Sequence, residues 1–379
     1  MMMGAFWPGN DSSGPNQSLK SLATSLRPWF DFRVVARDRP FGGAKPLVET
    51  GIWHELDFAR VRYCEAGPAG ARDLRDILND TPHDVIWLNG FFDREFTMAT
   101  LLMRRMGRVA RKPAILSPRG EFGPGALELK GGRKRLYIAA ARLFGLLRGV
   151  TLHATSNSEA DDIRNGLPWV ERAAVAPNLR ALLSPPTFIE AHDDATRVVF
   201  VGRVSPVKQL HYALDVLARI KSNATFDIFG PARDEAYWRG CEAQIAALPP
   251  NVRVKWHGET ANADVVAAMA RADLFFLPTA GENFGHAIFE ALCCRTPLLI
   301  SDQTPWRGLE QAQAGWDLPL SNPQAFAAAI DRFAALAPDA RMTLRNGARA
   351  MAEQWFARGD GVARNRAMLM SVMNAGAAR

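Results

Sequence analysis

Short apolar runs alternate with segments of helical periodicity along the whole chain, and this alternation constrains the fold more than any other feature. Apolar runs of four or five residues are typical of strands that are buried on both faces of a parallel sheet. They lie at residues 32–36, 85–88, 114–117 and 151–154 in the first half, and at 198–201, 225–229, 252–255, 274–277 and 297–300 in the second half. The pattern predicts an α/β protein with two doubly wound sheets.

The length of the chain also favours two domains. Its 379 residues exceed what one hydrophobic core usually supports. Residues 180–196 contain prolines and acidic residues in the composition of a linker. We therefore expect an N-terminal domain at 1–180, a C-terminal domain at 196–350, and a helical segment at 351–379 that packs back toward the N-terminal domain.

The composition argues against a membrane-spanning or secreted chain. Hydrophobic residues make up 48% and charged residues 22%, and no apolar run reaches the ~18–20 residues that cross a bilayer. The N-terminus lacks the charged start and apolar run of a secretory signal, so we expect a cytoplasmic protein. The strand expected before the loop at residue 8 has at most seven residues, and a start upstream of Met1 stays open. The four cysteines have neither metal-binding nor disulfide-rich spacing, which predicts buried, reduced thiols.

Positive charge is concentrated in the first half of the chain. Residues 1–185 contain 26 Lys and Arg against 19 Asp and Glu, whereas residues 186–379 contain 20 of each class. Residues 104–148 alone contain twelve basic side chains and two acids. Two interpretations stay open: a core helix with a solvated cationic end, or a surface that docks on anionic lipid headgroups. No nucleic-acid-binding motif accompanies this segment, so we expect no nucleic-acid partner.

The loop after the run at 198–201 contains two closely spaced cations. Ligands of doubly wound folds bind at the carboxyl ends of the strands, so such loops are where chemistry is expected. Here a glycine turn contains Arg203 and Lys208 just before a predicted helix. Two cations at a helix N-terminus suit a diphosphate, because the helix dipole and the N–H groups add to their charge. A solvated Arg/Lys pair is the alternative.

A pair of carboxylates follows the run at 274–277. Glu282 lies in the loop, and Glu290 comes eight residues later in an otherwise apolar helix. A buried carboxylate is costly without partners, so Glu290 requires hydroxyl or amide groups, which a ribose diol would supply. The alternative is that Glu290 points to solvent and Glu282 merely caps the helix. A third loop, at 301–306, follows the next strand and is polar.

Together these motifs resemble the retaining glycosyltransferase family 4. The matching elements follow the family's order through nearly the whole chain and are Ser117-Pro-Arg-Gly120, Ala154-Thr-Ser156, Ala176-Pro-Asn178, Gly202-Arg203, Lys208 and the spacing from Glu282 to Glu290. The resemblance implies the GT-B fold, in which two Rossmann-like doubly wound domains face a central cleft. It places the acceptor on the N-terminal domain and the nucleotide sugar on the C-terminal domain.

The resemblance also implies roles for individual residues. Arg203 and Lys208 would hold the donor diphosphate and stabilise the charge that builds on it, and Glu282 would bind the transferred sugar, so these three would be the catalytic residues. Glu290 would bind the ribose hydroxyls. The other implied donor contacts are Asn283, Phe284, Gly285 and His286, through backbone N–H groups that approach the sugar or the phosphates.

The chain contains no Asp-x-Asp, which is the usual signature of a divalent ion on the donor phosphates. We therefore expect no metal and no cofactor beyond the co-substrate, a UDP- or GDP-sugar. The resemblance implies transfer with retention of anomeric configuration to a glycan or to a lipid-linked pyrophosphate. It further implies a place in bacterial-type surface polysaccharide or lipopolysaccharide assembly, in the cytoplasm or peripherally on the inner face of the cytoplasmic membrane.

The N-terminal half departs from the family pattern in its loops. Where many members have a histidine, this chain has Pro-Arg119-Gly-Glu121. The usual Gly-Gly pair after the first strand is replaced by the loop at residues 8–16, which contains Gly14. Arg119, Glu121, Gly14 and His153 are the candidate acceptor or sugar contacts. A buried histidine with satisfied hydrogen bonds is the commoner outcome for His153, because it lies on a predicted strand.

Two other functions stay open from the sequence. One is a sugar-nucleotide epimerase on the same fold, and the other is a non-catalytic partner protein that binds a nucleotide sugar. A nicotinamide dehydrogenase is disfavoured, because no Gly-x-Gly-x-x-Gly follows any predicted strand.

Overall fold

The computed structural model describes residues 1–8, 13–40, 43, 45–65, 67–123, 131–170, 173–184 and 195–377. The chain forms two compact units. Unit 1 comprises residues 1–180 together with the chain from 359 onward, and unit 2 comprises residues 181–358.

Unit 1 is built on an eight-stranded sheet with the order β3-β4-β2-β1-β5-β6-β7-β8. Its neighbouring strands are parallel except for β3, which is antiparallel to β4. The strands are β1 Met2–Met3, β2 Arg33–Arg37, β3 Trp53–Glu55, β4 Arg60–Cys64, β5 Ile86–Asn89, β6 Ala114–Ser117, β7 Val150–Ala154 and β8 Ala173–Val175. The helices in residues 1–180 are α1 Gly14–Leu26, α2 Pro68–Asp80, a π-helical turn Arg94–Met98, α3 Ala99–Arg105, α4 Gly131–Leu143 and α5 Asn157–Gly166.

Unit 2 is built on a six-stranded parallel sheet with the order β11-β10-β9-β12-β13-β14. The strands are β9 Thr196–Val201, β10 Ala224–Phe229, β11 Val252–Gly258, β12 Leu274–Leu277, β13 Leu298–Ser301 and β14 Gly315–Leu318. The helices are α6 Leu210–Leu217, α7 Glu235–Ala246, α8 Asn262–Arg271, α9 His286–Cys293, α10 Pro323–Ala334 and α11 Pro338–Ala357.

All nine predicted strands are confirmed to within two residues at each end, except that β11 extends three residues further. The central strands β5, β6, β12 and β13 are buried along their whole length, as continuous apolar runs predict. The short strand expected within residues 1–7 is β1. Strands β3, β4, β8 and β14, which are short or contain polar residues, were not predicted. The prediction of buried, reduced cysteines is confirmed, because all four are free and buried.

The C-terminal segment begins later than the predicted boundary at residue 351. Helix α11 continues through that position to Ala357, and the division between the units follows Arg358. The last helix, α12 (Gly361–Ala377), belongs to unit 1, where Met368 and Leu369 join a core cluster that contains residues of α1. In the described part of the chain, every helix is too short or too polar to span a bilayer.

Candidate active site

The strand order of unit 2 reverses between β9 and β12, which are hydrogen-bonded neighbours. In the strand order, β10 and β11 lie on one flank of β9, whereas β12, β13 and β14 lie on its other flank. The loops after β9, β12 and β13 therefore meet at one edge, at the topological switch point where doubly wound sheets bind their ligands. These are the three loops that the sequence singled out.

Two glycines bring the loops after β9 and β10 into backbone contact. Gly230 has a φ of +135°, and a Cβ added there would lie 2.1 Å from the carbonyl oxygen of Gly202. The N–H of Gly202 donates to the carbonyl of Phe229 at 2.9 Å. A side chain at residue 230 would separate the two loops, so this glycine fixes the position at which Arg203 leaves the sheet.

The two predicted phosphate ligands follow this turn. Arg203 is exposed, whereas Lys208 is half-buried and its aliphatic stem lies 3.7 Å from the Cβ position of Gly202. Helix α6 begins at Leu210, after Gln209 in the left-handed conformation with a φ of +53°. The cations thus lie in the loop before the helix, as the sequence predicts.

Lys208 and Glu282 are in direct contact through Nζ and Oε1. Their side chains are 21% and 11% exposed, so the pair is partly shielded from solvent. Backbone bonds hold the Glu282 loop in place on both sides: the N–H of Ala280 donates to Val207 O at 2.8 Å, and the N–H of Glu282 donates to Gln303 O at 3.1 Å. The contact therefore spans the switch point between β9 and β12.

The alternative that Glu282 caps the next helix is wrong. The N-cap of α9 is Gly285, with a φ of +78°, and a Cβ there would lie 2.8 Å from Ile288 Cδ1. Helix α9 begins at His286, so the N–H groups of its first turn point back toward the loop that contains Glu282 and Asn283. Such a helix start favours an anion.

Glu290 lies in α9 among Phe289, Ala291 and Leu292, and it is only 5% exposed. The alternative that it points to solvent is therefore wrong. Its burial places a carboxylate within the apolar helix that follows the Glu282 loop.

Phe284 contributes its ring to packing rather than to an exposed contact surface. The ring lies 5.7 Å from Trp306, 5.9 Å from Phe289 and 5.2 Å from Trp355. Trp306 Nε1 also donates to the carbonyl of Phe284 at 2.5 Å. Sequence reasoning assigned no role to Gln303 or Trp306, which hold the loop between β12 and α9 in position. The polar character of the loop after β13 was the one sequence signal for them.

In unit 1, Arg119 lies at the carboxyl edge of the sheet between two asparagines. Its φ is +58°, and its Nε and Nη2 donate to Asn89 Oδ1 at 3.0 and 2.9 Å, while Nη1 donates to Asn178 Oδ1 at 2.7 Å. Burial lowers the pKa of Arg119. Both of these acceptors are neutral amides, so these hydrogen bonds do not neutralise the positive charge of the guanidinium.

Glu159 holds the turn that contains Arg119. Its carboxylate accepts the N–H of Gly120 at 2.6 Å and the N–H and hydroxyl of Thr155 at 2.7 Å each. Ser156 is the N-cap of α5 and accepts the N–H of Glu159 at 3.1 Å. Asn89, Asn178 and Glu159 were missed as a network, although Ser156-x-x-Glu159 is a capping-box pattern.

Glu121 is a buried carboxyl at the same edge. It accepts the N–H of Phe92 at 3.2 Å and also that of Phe91. Burial raises the pKa of Glu121 to about 7, against the opposing effect of these two backbone hydrogen bonds. The group can therefore gain or lose a proton near neutral pH.

His153 is not a candidate substrate contact in this structure. Its Nε2 donates to Ala176 O at 2.8 Å, Nδ1 lies 2.7 Å from Ser117 Oγ, and Trp87 Nε1 donates to the same hydroxyl at 2.8 Å. Both ring nitrogens are used, the residue is 2% exposed, and burial lowers its pKa to about 4. It is a neutral cross-link between strands, which corrects its place among the acceptor or sugar contacts.

Gly14 is the first residue of α1, behind the N-cap Ser13. The preceding residues 9–12 lie outside the described part of the chain, so the predicted glycine-rich loop is described only at its ends. Across the described residues, no group of three or more His, Cys, Asp and Glu side chains is arranged to hold a metal ion.

Several basic side chains of residues 104–148 donate hydrogen bonds to backbone carbonyls within unit 1. Arg104 donates to Gly149 O at 3.5 Å and to Lys112 O, Arg105 donates to Phe144 O at 2.7 Å, and Arg111 donates to Arg104 O at 3.3 Å. With Arg119 included, at least four of the twelve basic residues have internal structural roles. Residues 124–130 of this segment lie outside the described residues.

Comparison with known proteins gives a consistent result. Residues 187–351 match the model of the family described as glycosyl transferases group 1. The chain is 26% identical over 401 aligned positions to the D-inositol 3-phosphate glycosyltransferase of Jonesia denitrificans, an alignment that covers 92% of this chain and 89% of the relative. Its fold is similar to Anabaena HepE in complex with UDP and glucose, with a TM-score of 0.68, 18% identity, and coverage of 99% and 100%. It is also similar to WaaG, a glycosyltransferase involved in lipopolysaccharide biosynthesis, with a TM-score of 0.59, 14% identity, and coverage of 93% and 94%.

Proposed function

We propose that this chain, a group 1 glycosyltransferase of GT-B fold that takes its sugar from a nucleotide sugar, transfers that sugar with retention of anomeric configuration and without a metal ion. The observation that carries the proposal is the contact between Lys208 and Glu282 at the switch point of unit 2. A cation and a carboxylate side by side match a donor in which the diphosphate and the sugar ring are neighbours.

The chemistry of the leaving group supports a role for the cations. When the glycosidic bond breaks, negative charge builds on the nucleoside diphosphate, and preorganised positive groups stabilise that charge in the transition state. Arg203 and Lys208 follow β9, and α9 follows the neighbouring strand β12, so these positive groups belong to the same edge of the sheet. A divalent ion would do the same work, but the sequence lacks the Asp-x-Asp that usually binds it.

In this proposal each carboxylate recognises a different part of the donor. Glu282 hydrogen-bonds the hydroxyls of the transferred sugar, and buried Glu290 binds the ribose diol. The backbone between Asn283 and His286 approaches the sugar and the phosphates. The donor is a UDP- or GDP-sugar, and we place UDP first because HepE is described in complex with UDP and glucose.

The acceptor is a glycan or a lipid-linked pyrophosphate, bound by unit 1. Arg119 offers a positive charge at the carboxyl edge of the sheet, and Glu121 offers a carboxyl that titrates near neutral pH. We propose a role in surface polysaccharide or lipopolysaccharide assembly at the inner face of the cytoplasmic membrane. The description of WaaG supports this choice of pathway.

A donor screen followed by product analysis tests the proposal. Thermal unfolding is measured with UDP-, GDP-, ADP- and TDP-sugars, because a ligand that binds the native state raises its midpoint. The stabilising donor is then incubated alone and with candidate acceptors. Nucleoside diphosphate release with acceptor supports transfer; conversion of the donor alone into a second nucleotide sugar would instead identify an epimerase, and binding without turnover with every acceptor would identify a binding partner.

A further inference from the structure

Helix α4 has apolar residues on both of its faces. Its inner face is formed by Tyr137, Ile138 and Ala141, which belong to the core of unit 1 or pack against it. Leu136 and Leu143 lie on the opposite face, seven positions apart, and are 73% and 79% exposed. A helix that packs on a sheet normally has a polar outer face, so the second apolar stripe is not explained by the fold of unit 1.

The stripe continues into the residue that follows the helix. Phe144 is 58% exposed, and with Leu136 and Leu143 it is among the three most exposed large apolar side chains in the described part of the chain. Its position is fixed, because Arg105 Nε donates to the Phe144 carbonyl at 2.7 Å and Leu146 N donates to Ala141 O at 2.9 Å. Hydrogen bonds therefore hold the C-terminal end of α4, where Leu143 and Phe144 lie, in a fixed position.

Arginines flank the stripe on both sides. Arg135 lies on one flank and Arg133 on the other, and both are exposed. Arg142 is also exposed and lies over the Trp169 ring, with Cζ 5.5 Å from the ring centroid. The sequence contains no acid between Glu128 and Glu159. Leu136, Leu143 and Phe144 with these flanking arginines are named the α4 surface below.

We propose that the α4 surface docks on an anionic lipid bilayer, with Leu136, Leu143 and Phe144 inserted at the headgroup boundary and the flanking arginines on lipid phosphates. An apolar strip between cations has the chemistry of an interfacial helix. A second copy of the chain fits less well, because apposed stripes would bring the arginines of both copies together, and the segment between Glu128 and Glu159 contains no acid. The inference rests on the proposed function in one respect: a lipid-linked acceptor would give the enzyme a reason to dock on a membrane.

Vesicle co-sedimentation of the full chain tests this surface without requiring turnover. The protein should sediment with vesicles of phosphatidylcholine and phosphatidylglycerol, should bind pure phosphatidylcholine more weakly, and should be released by salt. The double variant Leu136→Ser/Leu143→Ser should lower the partition coefficient by on the order of 100-fold. Replacing Arg133 and Arg135 by Gln should lower it by about fivefold for each.

The matched control is Leu47→Ser/Ile52→Ser. These residues are 54% and 47% exposed in the segment before β3, at the sheet edge opposite to β7 and β8. This control should keep parental vesicle binding, and all variants should melt like the parent.

Absence of parental binding to anionic vesicles, or an equal loss in the control, would overturn the proposal. Concentration-dependent dimers in analytical ultracentrifugation that disappear in Leu136→Ser/Leu143→Ser, without vesicle binding by the parent, would assign the surface to a second copy. Because vesicle binding is read without a donor, its failure is distinguishable from failure of sugar transfer.

Discussion

Replacing each of the two glutamates by glutamine should separate recognition of the ribose from recognition of the sugar. Glu290→Gln removes a charge from a side chain that is 5% exposed and keeps the side-chain volume, so a loss of binding would not report a cavity. A hydrogen bond to a charged group contributes about 1.5–3 kcal/mol. We therefore expect Glu290→Gln to weaken both the nucleotide sugar and the free nucleoside diphosphate by roughly ten- to a hundred-fold.

Glu282→Gln should behave differently, because Glu282 contacts Lys208 rather than lying inside the helix. If Glu282 binds the transferred sugar as proposed, the variant loses that contact and should bind the nucleotide sugar roughly ten- to a hundred-fold more weakly. Free nucleoside diphosphate should bind as well as it does to the parent or slightly better, since neutralising this carboxylate leaves more positive potential on Lys208.

Titration calorimetry with both ligands measures the four affinities. The control is Glu310→Gln, in which an exposed carboxylate that pairs with Arg332 at 3.1 Å undergoes the same chemical change. It should leave both affinities unchanged, because exposed ion pairs contribute little. Equal losses for both ligands in Glu282→Gln and Glu290→Gln would refute the division of roles between sugar and ribose.

Three further predictions concern the cations, a glycine and a histidine. Arg203→Ala and Lys208→Ala should each lower kcat/KM by on the order of 100-fold, and parental turnover in both would remove the diphosphate assignment. The exposed Arg203 should be replaced without a change in Tm. Gly230→Ala should destabilise unit 2 by at least about 3 kcal/mol in denaturant unfolding, whereas Gly240→Ala, in α7 with open space around it, should stabilise by up to ~1 kcal/mol; similar effects would contradict the loop contact. Because the folded-state pKa of His153 is about 4 against 6.5 unfolded, its neutral form contributes stability above pH 6.5 that is lost as pH falls toward 4; the loss should be roughly 3 kcal/mol and absent in His153→Gln.

The sequence predicted best the strands that are buried on both faces of a sheet. β5, β6, β12 and β13 are buried on both faces, so their apolar runs stand out from the helices around them. β1 has two residues, and the alternating residues of Arg60–Cys64 in β4 include two arginines, so neither gives a continuous apolar signal. Pairing with neighbouring strands, rather than local composition, determines such elements.

The candidate site was predictable where strand order alone brings residues together. Lys208 and Glu282 are 74 positions apart, but both follow strands that are neighbours in a parallel sheet. The contacts of Arg119 with Asn89 and Asn178 span 30 and 59 positions and depend on the geometry of one turn. Asn89 belongs to no motif identified in the sequence, and Asn178 stands out only as the last residue of Ala176-Pro-Asn178. The contacts of both with Arg119 therefore required the structure.

Proton NMR of the reaction in excess EDTA tests the central claim most directly, because one experiment follows loss of the donor's anomeric signal and growth of the product's. The account predicts that transfer proceeds at the same rate with EDTA as with added Mg²⁺ or Mn²⁺, and that the product has the anomeric configuration of the donor. An inverted anomer, or turnover only when a divalent ion is restored, would contradict a mechanism in which Arg203 and Lys208 stabilise the leaving diphosphate.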